Sequence, residues 1–166
     1  MKEKIIPILC LLAAAGVQAN LPGGFHILGS GPDIVLVVLI AFSLATDTSA
    51  GVFLGFAAGL IEGATVGNSF GSFIVTRTIV GFIAGFATTT FFSVNPIVSI
   101  VTTGWLTLVC ELMFVLANPA ASLLVVLRTA VGECIWNSLL SFILVCVLRY
   151  FRTRHKIRLA DIRARY

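Results

Sequence analysis

The chain has 166 residues, of which 58% are hydrophobic and 11% carry a charge. Soluble domains carry about 25% charged residues, so this composition excludes an ordinary water-soluble protein and indicates an integral membrane protein. At about 20 residues per membrane span, the length allows five or six helices and leaves no room for a soluble domain of useful size. Any enzyme of this kind would have to act inside the bilayer.

The first apolar segment, residues 5–17, follows Lys2 and Lys4 and is predicted to be the first span. A basic start, a short apolar core and small residues before Asn20 are also typical of a signal peptide. We favour an uncleaved helix, because a protein with several spans needs no separate signal. A mature chain that began at Asn20 would contradict this prediction.

A loop and the start of the second span follow the first span. Residues 21–31 are rich in glycine and proline and are predicted to be a loop. Pro32 and Asp33 then begin the second span, with a proline in the first turn and a carboxylate near the positive end of the helix. This span is short, so a tilted or partly re-entrant helix is an alternative to a full crossing.

Capping residues divide the rest of the chain into four more apolar segments. Asp47 is a natural N-cap for the third span, and an Asn-Pro pair opens the fifth at 95–96 and the sixth at 118–119. The fourth span starts near Phe70. The six predicted spans end near residues 17, 46, 66, 92, 117 and 151.

The basic residues predict the orientation of the chain. Seven of the eleven lie in residues 149–165 and two more are Lys2 and Lys4. Because basic residues favour the cytoplasmic side, both termini are predicted to be cytoplasmic and the number of spans to be even. We therefore predict an all-α integral membrane protein, with a six-helix transmembrane domain over residues 1–151 and a basic cytoplasmic tail over residues 152–166.

Glycine occurs at every fourth position from Gly51 to Gly71. Four residues advance a helix by about 400°, so these glycines form one smooth face that another helix can approach closely. Packing within this chain and a groove for a partner's helix are both consistent with the pattern. The partner-binding candidates are Gly51, Gly55, Gly59 and Gly63 on the third span and Gly81 and Gly85 on the fourth.

Several polar residues fall inside apolar spans, where an unpaired charge costs about 2.5–3.5 kcal/mol. Glu62 and Arg77 lie toward the outer ends of adjacent spans and are predicted to pair. Glu133 and Asn137 share one face of the sixth span with Thr129 and Ser141, because steps of four residues keep side chains on one face. That face indicates either a substrate pocket or hydrogen bonding between helices. The intramembrane polar candidates are Glu62, Arg77, Glu111, Arg128, Glu133 and Asn137.

No motif predicts catalysis, a cofactor or a metal. Cys10, Cys110, Cys134 and Cys146 fall in predicted spans without a C-x-x-C pair. The sequence contains no H-E-x-x-H, G-x-S-x-G or phosphate-binding loop. We therefore expect a non-enzymatic protein without a cofactor or metal, surrounded by lipid and without a nucleic-acid partner.

Three segments occur in a recognisable order: G-P-D-I-V-L at 31–36, G-F-A-A-G-L at 55–60 and T-R-T-I-V-G-F-I-A-G at 76–85. They resemble segments of the MreD family of rod shape-determining membrane proteins. Their order and spacing are similar to those of the family over nearly the full chain. Two positions depart from it: Gly31 stands where a basic residue is common, and Gly63 stands where aspartate is frequent, with the acidic group one residue earlier at Glu62.

The resemblance implies a subunit of the bacterial elongation machinery in the cytoplasmic (inner) membrane. Such a subunit binds MreC and acts with MreB, RodA and its transpeptidase in lateral peptidoglycan synthesis. The family also resembles, in fold, the substrate-binding S components of energy-coupling-factor transporters. The alternative is therefore a vitamin-transporter S component, in which Glu111, Arg128, Glu133 and Asn137 line a pocket, although the outer loops look too short to close over a vitamin.

Overall fold

A computed structural model describes residues 2–163 apart from 23, 25, 68, 92–95 and 118–122. The described part of the chain forms six helices and no strand, which confirms the all-α prediction. They are α1 (Lys2–Ala19), α2 (Ile34–Ser43), α3 (Thr48–Val66), α4 (Phe70–Phe91), α5 (Pro96–Ala117) and α6 (Leu123–Arg163).

Four of these helices contain a stretch long and apolar enough to cross a membrane. The stretches are Thr48–Val66, Phe70–Ala87, Ile97–Ala117 and Leu124–Val147. The apolar parts of α1 and α2, Ile5–Ala19 and Ile34–Ser43, are shorter than a typical span. The chain therefore has the composition and helix lengths of a membrane protein with several spans.

The helix ends that agree best with the sequence prediction are those with a local capping residue. The Asp33 side chain accepts a hydrogen bond from the Leu36 amide at 2.8 Å, and Asp47 accepts one from Ala50 at 2.8 Å. Gly67 ends α3 in the left-handed conformation, with φ of 71°, which glycine adopts at little cost. The expected end of α3 is confirmed, and α4 and α5 are helical up to Phe91 and Ala117, the last described residues before gaps at 92–95 and 118–122.

Two helix ends lie three or more residues from the expected ones. Helix α2 ends at Ser43 instead of near residue 46, because residues 44–46 form a turn before the Asp47 cap. Helix α6 continues to Arg163 instead of ending near residue 151, since no glycine or proline interrupts residues 133–163. The Asn-Pro pair expected to open α6 lies outside the described residues.

The short helix α2 lies at the centre of the bundle. It packs against each of the other five helices, whereas α1 contacts α2 and α3, and α6 contacts α5 and α2. A helix that is apolar on all sides belongs in the interior. Six of its ten residues are accordingly buried: Val35, Leu36, Val37, Leu39, Ile40 and Ser43.

The glycine face of α3 packs against α4, the most extensive contact between any two helices. A Cβ atom added to Gly51 would collide with the backbone of Gly81, and one added to Gly59 would lie 2.5 Å from Ile74 Cα. At Gly85, an added Cβ would lie 2.9 Å from Thr48 Cα. The two backbones are therefore in direct contact.

This packing corrects the expectation that the glycines receive a partner's helix. Gly51, Gly55, Gly59 and Gly63 face α4, and Gly81 and Gly85 face α3. The face is covered because α4 follows α3 closely in the chain and packs along it. Packing within the chain, the other interpretation of the pattern, is the one found.

The outer surface of the bundle is apolar. Helix α5 exposes one large apolar side chain at almost every turn, and Trp105 is 65% exposed. Lipid, unlike water, imposes no cost on such a surface. The exposed apolar residues of α5 are Ile97, Val101, Trp105, Leu108, Leu112 and Leu116.

Candidate functional site

A buried ion cluster joins three helices near the end of the bundle where α1 ends and α2 begins. Arg77 of α4 donates from Nε to Glu62 Oε2 at 2.6 Å and from Nη2 to Glu62 Oε1 at 3.0 Å. The same Nη2 also forms an ion pair with Asp33 Oδ2. The predicted pair of Glu62 and Arg77 is confirmed, and the side chains of all three residues are at most 7% exposed.

Asp33 has a role that the sequence did not predict. Its Oδ1 atom caps α2 through the Leu36 amide, while its Oδ2 atom faces Arg77. Its own backbone amide donates to Asn137 Oδ1 of α6 at 2.9 Å. A carboxylate at a helix start was predicted, but a cap uses only one of its oxygens, and the other was available for a distant partner.

Gln18 is a second residue that sequence reasoning missed. Its Nε2 atom donates to Glu62 Oε1 at 3.3 Å, and its Oε1 atom accepts from the Val35 amide at 3.0 Å. The side chain thus links the end of α1 to α2 and α3. An amide in the last turn of an otherwise apolar helix was the available signal, because such a group inside a bundle needs partners.

A second polar network joins α5 to α6. Asn137 Nδ2 donates to Thr107 Oγ1 at 3.2 Å, and the hydroxyls of Ser99 and Ser141 lie 2.9 Å apart. Thr103 donates to Ser141 Oγ at 2.9 Å. Hydrogen bonding between helices, one of the two interpretations of the polar face of α6, is confirmed for Asn137 and Ser141.

The other members of that face behave differently. Thr129 bonds to carbonyls of its own helix at 3.0 and 3.1 Å. Glu133 lines a cavity next to the ion cluster. Arg128 is exposed and does not line this cavity, so the described residues do not place it in the expected pocket. The reason is geometric, because Arg128 precedes Thr129 by one residue and is rotated by about 100° from the polar face.

The cavity has a volume of about 390 Å³ and lies at the same end of the bundle as the ion cluster. Every helix contributes to its wall or lies beside it, and the loop before α2 covers part of it. Its wall is formed by Gln18, Leu21, Pro22, His26, Ser30, Gly31, Pro32, Asp33, Glu62, Phe73, Arg77, Cys110, Glu111, Phe114 and Glu133.

The loop before α2 is packed onto α6. Ile27 and Ser30 exchange two backbone hydrogen bonds of 2.9 and 3.0 Å around Leu28 and Gly29, which both have positive φ. A Cβ atom added to Gly132 of α6 would lie 3.1 Å from Leu28 Cβ, so the turn and the helix touch. Although this loop was expected to be too short for a lid, it forms one wall of the cavity.

The cavity wall combines aromatic rings with an excess of acidic groups. The rings of Phe73 and Phe114 lie 5.1 Å apart, and the Arg77 guanidinium is 5.8 Å from the Phe73 centroid. Arg77 also donates from Nη1 to Cys110 Sγ at 2.7 Å. Four carboxyl groups line the cavity, and Arg77 and His26 are the basic residues among its described wall.

The described residues contain no group of three or more histidine, cysteine, aspartate or glutamate side chains arranged to hold a metal ion. All four cysteines are free thiols, and Cys110 is buried beside Arg77. The arrangement binds helices together through charge-assisted hydrogen bonds and leaves a polar space beside them.

Comparisons of the chain with protein-family models, with curated proteins and with solved structures found no match. The resemblance to the MreD family thus depends on the three sequence segments alone.

Proposed function

We propose that this chain is a non-enzymatic membrane scaffold of the MreD kind, which binds MreC and supports lateral cell-wall synthesis together with MreB, RodA and its transpeptidase. One observation supports this most directly. Asp33 and Arg77, from the first and third segments that resemble the family, form an ion pair. Gly55, from the second, packs on the backbone of Arg77 and Thr78.

The three segments thus contact one another and form one connected unit. Such contacts are expected if these segments have the same structural role here as in the family that they resemble. The buried charges in that unit are engaged with each other, so they act as fixed links between helices. A rigid bundle with an apolar outer surface suits a subunit whose work is to hold partners in the membrane.

Because α4 covers the glycine face, MreC would have to contact another surface of the bundle. The proposal also includes the orientation in which both termini are cytoplasmic, in the bacterial inner membrane. The cavity would then open toward the outer side, since it lies at the end where α1, α3 and α5 finish. A reporter fused to the C-terminus and active only outside the membrane would contradict this orientation.

The test of the scaffold is co-purification of this chain with the MreC of the same genome after co-expression. We expect a stoichiometric complex that survives in several detergents. Failure to recover a complex in every detergent, with the chain still folded, would remove the scaffold proposal.

A second candidate is a substrate-binding S component, and the cavity of about 390 Å³ favours it. Small-molecule sites commonly measure about 300–1,000 Å³ and combine apolar walls with a few convergent polar groups. An S component would be stabilised by its vitamin and would co-purify with an energy-coupling partner instead of MreC. A thermal-shift screen of vitamins that found no stabilising compound would count against this candidate.

A further inference from the structure

We propose that the cavity binds a small organic cation with an apolar or aromatic body. Three observations support it: the cavity volume of about 390 Å³, the aromatic pair in the cavity wall and the charged groups that line it. It goes beyond the scaffold proposal and is independent of it, because it concerns a space inside the bundle and not the surface that meets a partner.

The one guanidinium in the wall already has its partners. Arg77 donates to Glu62, to Asp33 and to Cys110, so most of its N–H groups are already engaged within the protein. Asp33 and Glu62 are thereby neutralised in part. They do not need a ligand, and they would not attract one strongly.

The other two carboxyl groups have no such partner. Glu111 of α5 and Glu133 of α6 both line the cavity, and the ion pairs found among the described residues involve neither of them. Two ionised carboxylates that line the same small cavity repel each other. A ligand with an ammonium or amidinium group would offset this repulsion with its positive charge, whereas an anion would add to it.

The aromatic wall suits the rest of such a ligand. Phe73 and Phe114 form a tilted pair with 5.1 Å between ring centroids, and both belong to the cavity wall. The faces of aromatic rings attract cations and pack well against other rings. Leu21 and Pro22 add apolar surface from the loop, so the cavity has one acidic side and one apolar side.

Benzylamine is the first probe, because it carries one ammonium group on one ring and is small enough for the cavity. Benzyl alcohol is its neutral analogue and benzoate its anionic one. With the full chain purified in detergent, we expect benzylamine to raise the unfolding midpoint and to bind on the order of tenfold more tightly than either analogue, as a charge-assisted hydrogen bond implies.

Two isosteric substitutions locate the binding. Glu111→Gln and Glu133→Gln each remove one carboxylate without changing shape, and each is expected to weaken benzylamine binding by on the order of tenfold. Arg128→Gln is the control, since Arg128 is on α6 near the same end but outside the cavity. Equal binding of the three probes, or unchanged benzylamine binding in both glutamine variants, would overturn the proposal.

A second measurement does not depend on the choice of probe. Ser30 lines the cavity and uses only its backbone in the turn, so Ser30→Cys places a thiol there without loss of a described contact. Thr65→Cys is the control on the exposed end of α3. Both are made in a chain whose four native cysteines are alanine and whose unfolding midpoint shows that it is folded.

The two thiols are treated with a cationic and an anionic methanethiosulfonate of similar size. We expect the ratio of cation to anion rates to be on the order of tenfold higher at position 30 than at position 65, and to fall when Glu111 and Glu133 are both glutamine. Equal ratios at the two positions would show that the cavity has no preference for cations and would overturn the proposal. Loss of the MreC complex would leave this result unaffected.

Discussion

Replacement of Gly55 by alanine tests whether the glycine face holds this chain together. The substitution adds one methyl group in the middle of the contact between α3 and α4. That methyl would lie 2.8 Å from Thr78 Cα and 3.0 Å from the carbonyl carbon of Arg77. All of the nearest atoms belong to backbone, which has no rotamer to change, so the two helices must move apart.

The structure sets the size of the expected effect. Carbon atoms in contact prefer about 3.5–4.0 Å, so the helices must separate locally by on the order of 1 Å. Overpacking of this kind costs about 1–3 kcal/mol, and we expect the upper half of that range because the obstruction is rigid. The midpoint of thermal unfolding should then fall by about 4–12 °C for a chain of this length.

The assay is thermal unfolding of the purified chain in one detergent, followed by the loss of folded protein on size exclusion. Gly71→Ala is the matched control, because a Cβ atom added there meets no atom within 4 Å. It lies on the first turn of α4 and makes the same chemical change. We expect its unfolding midpoint to stay at that of the original chain or to rise slightly.

One result would refute this reasoning. If Gly55→Ala unfolds at the temperature of Gly71→Ala but loses the complex with MreC, then the glycine face serves a partner and not α4. If Gly55→Ala loses stability in the isolated chain, the contact within the chain is sufficient to explain the glycine pattern.

Two further substitutions test the polar links. Arg77→Leu leaves Asp33 and Glu62 buried without their cation and is expected to lower the free energy of unfolding by about 3–5 kcal/mol. Adding Glu62→Gln should recover part of the lost stability. If thermal unfolding shows no recovery, lost packing and not charge is responsible. Asn137→Ala strands the Asp33 amide, leaves the Thr107 hydroxyl with its bond to the Thr103 carbonyl alone, and should cost about 1–3 kcal/mol. Thr129→Ala, which removes bonds within one helix only, is its control, and equal losses in the two variants would contradict the assigned role of Asn137.

The sequence by itself determined the helices and most of their ends. Apolar stretches bounded by turn residues predict helices, since a backbone in lipid must satisfy its hydrogen bonds internally. Asp47 and Gly67 mark ends because capping involves only residues within a turn of each other. The pair of Glu62 and Arg77 was also within reach, because a short turn between antiparallel helices brings residues near that turn together.

Only the tertiary structure decided what covers each face and which distant groups meet. Asp33 pairs with Arg77 across 44 positions and bonds through its amide to Asn137 across 104 positions. Neither contact follows from local spacing, since both depend on the placement of α2 at the centre of the bundle. The cavity has the same origin, because its wall takes groups from helices and a loop that are distant in sequence, and packing alone decides where space is left between them.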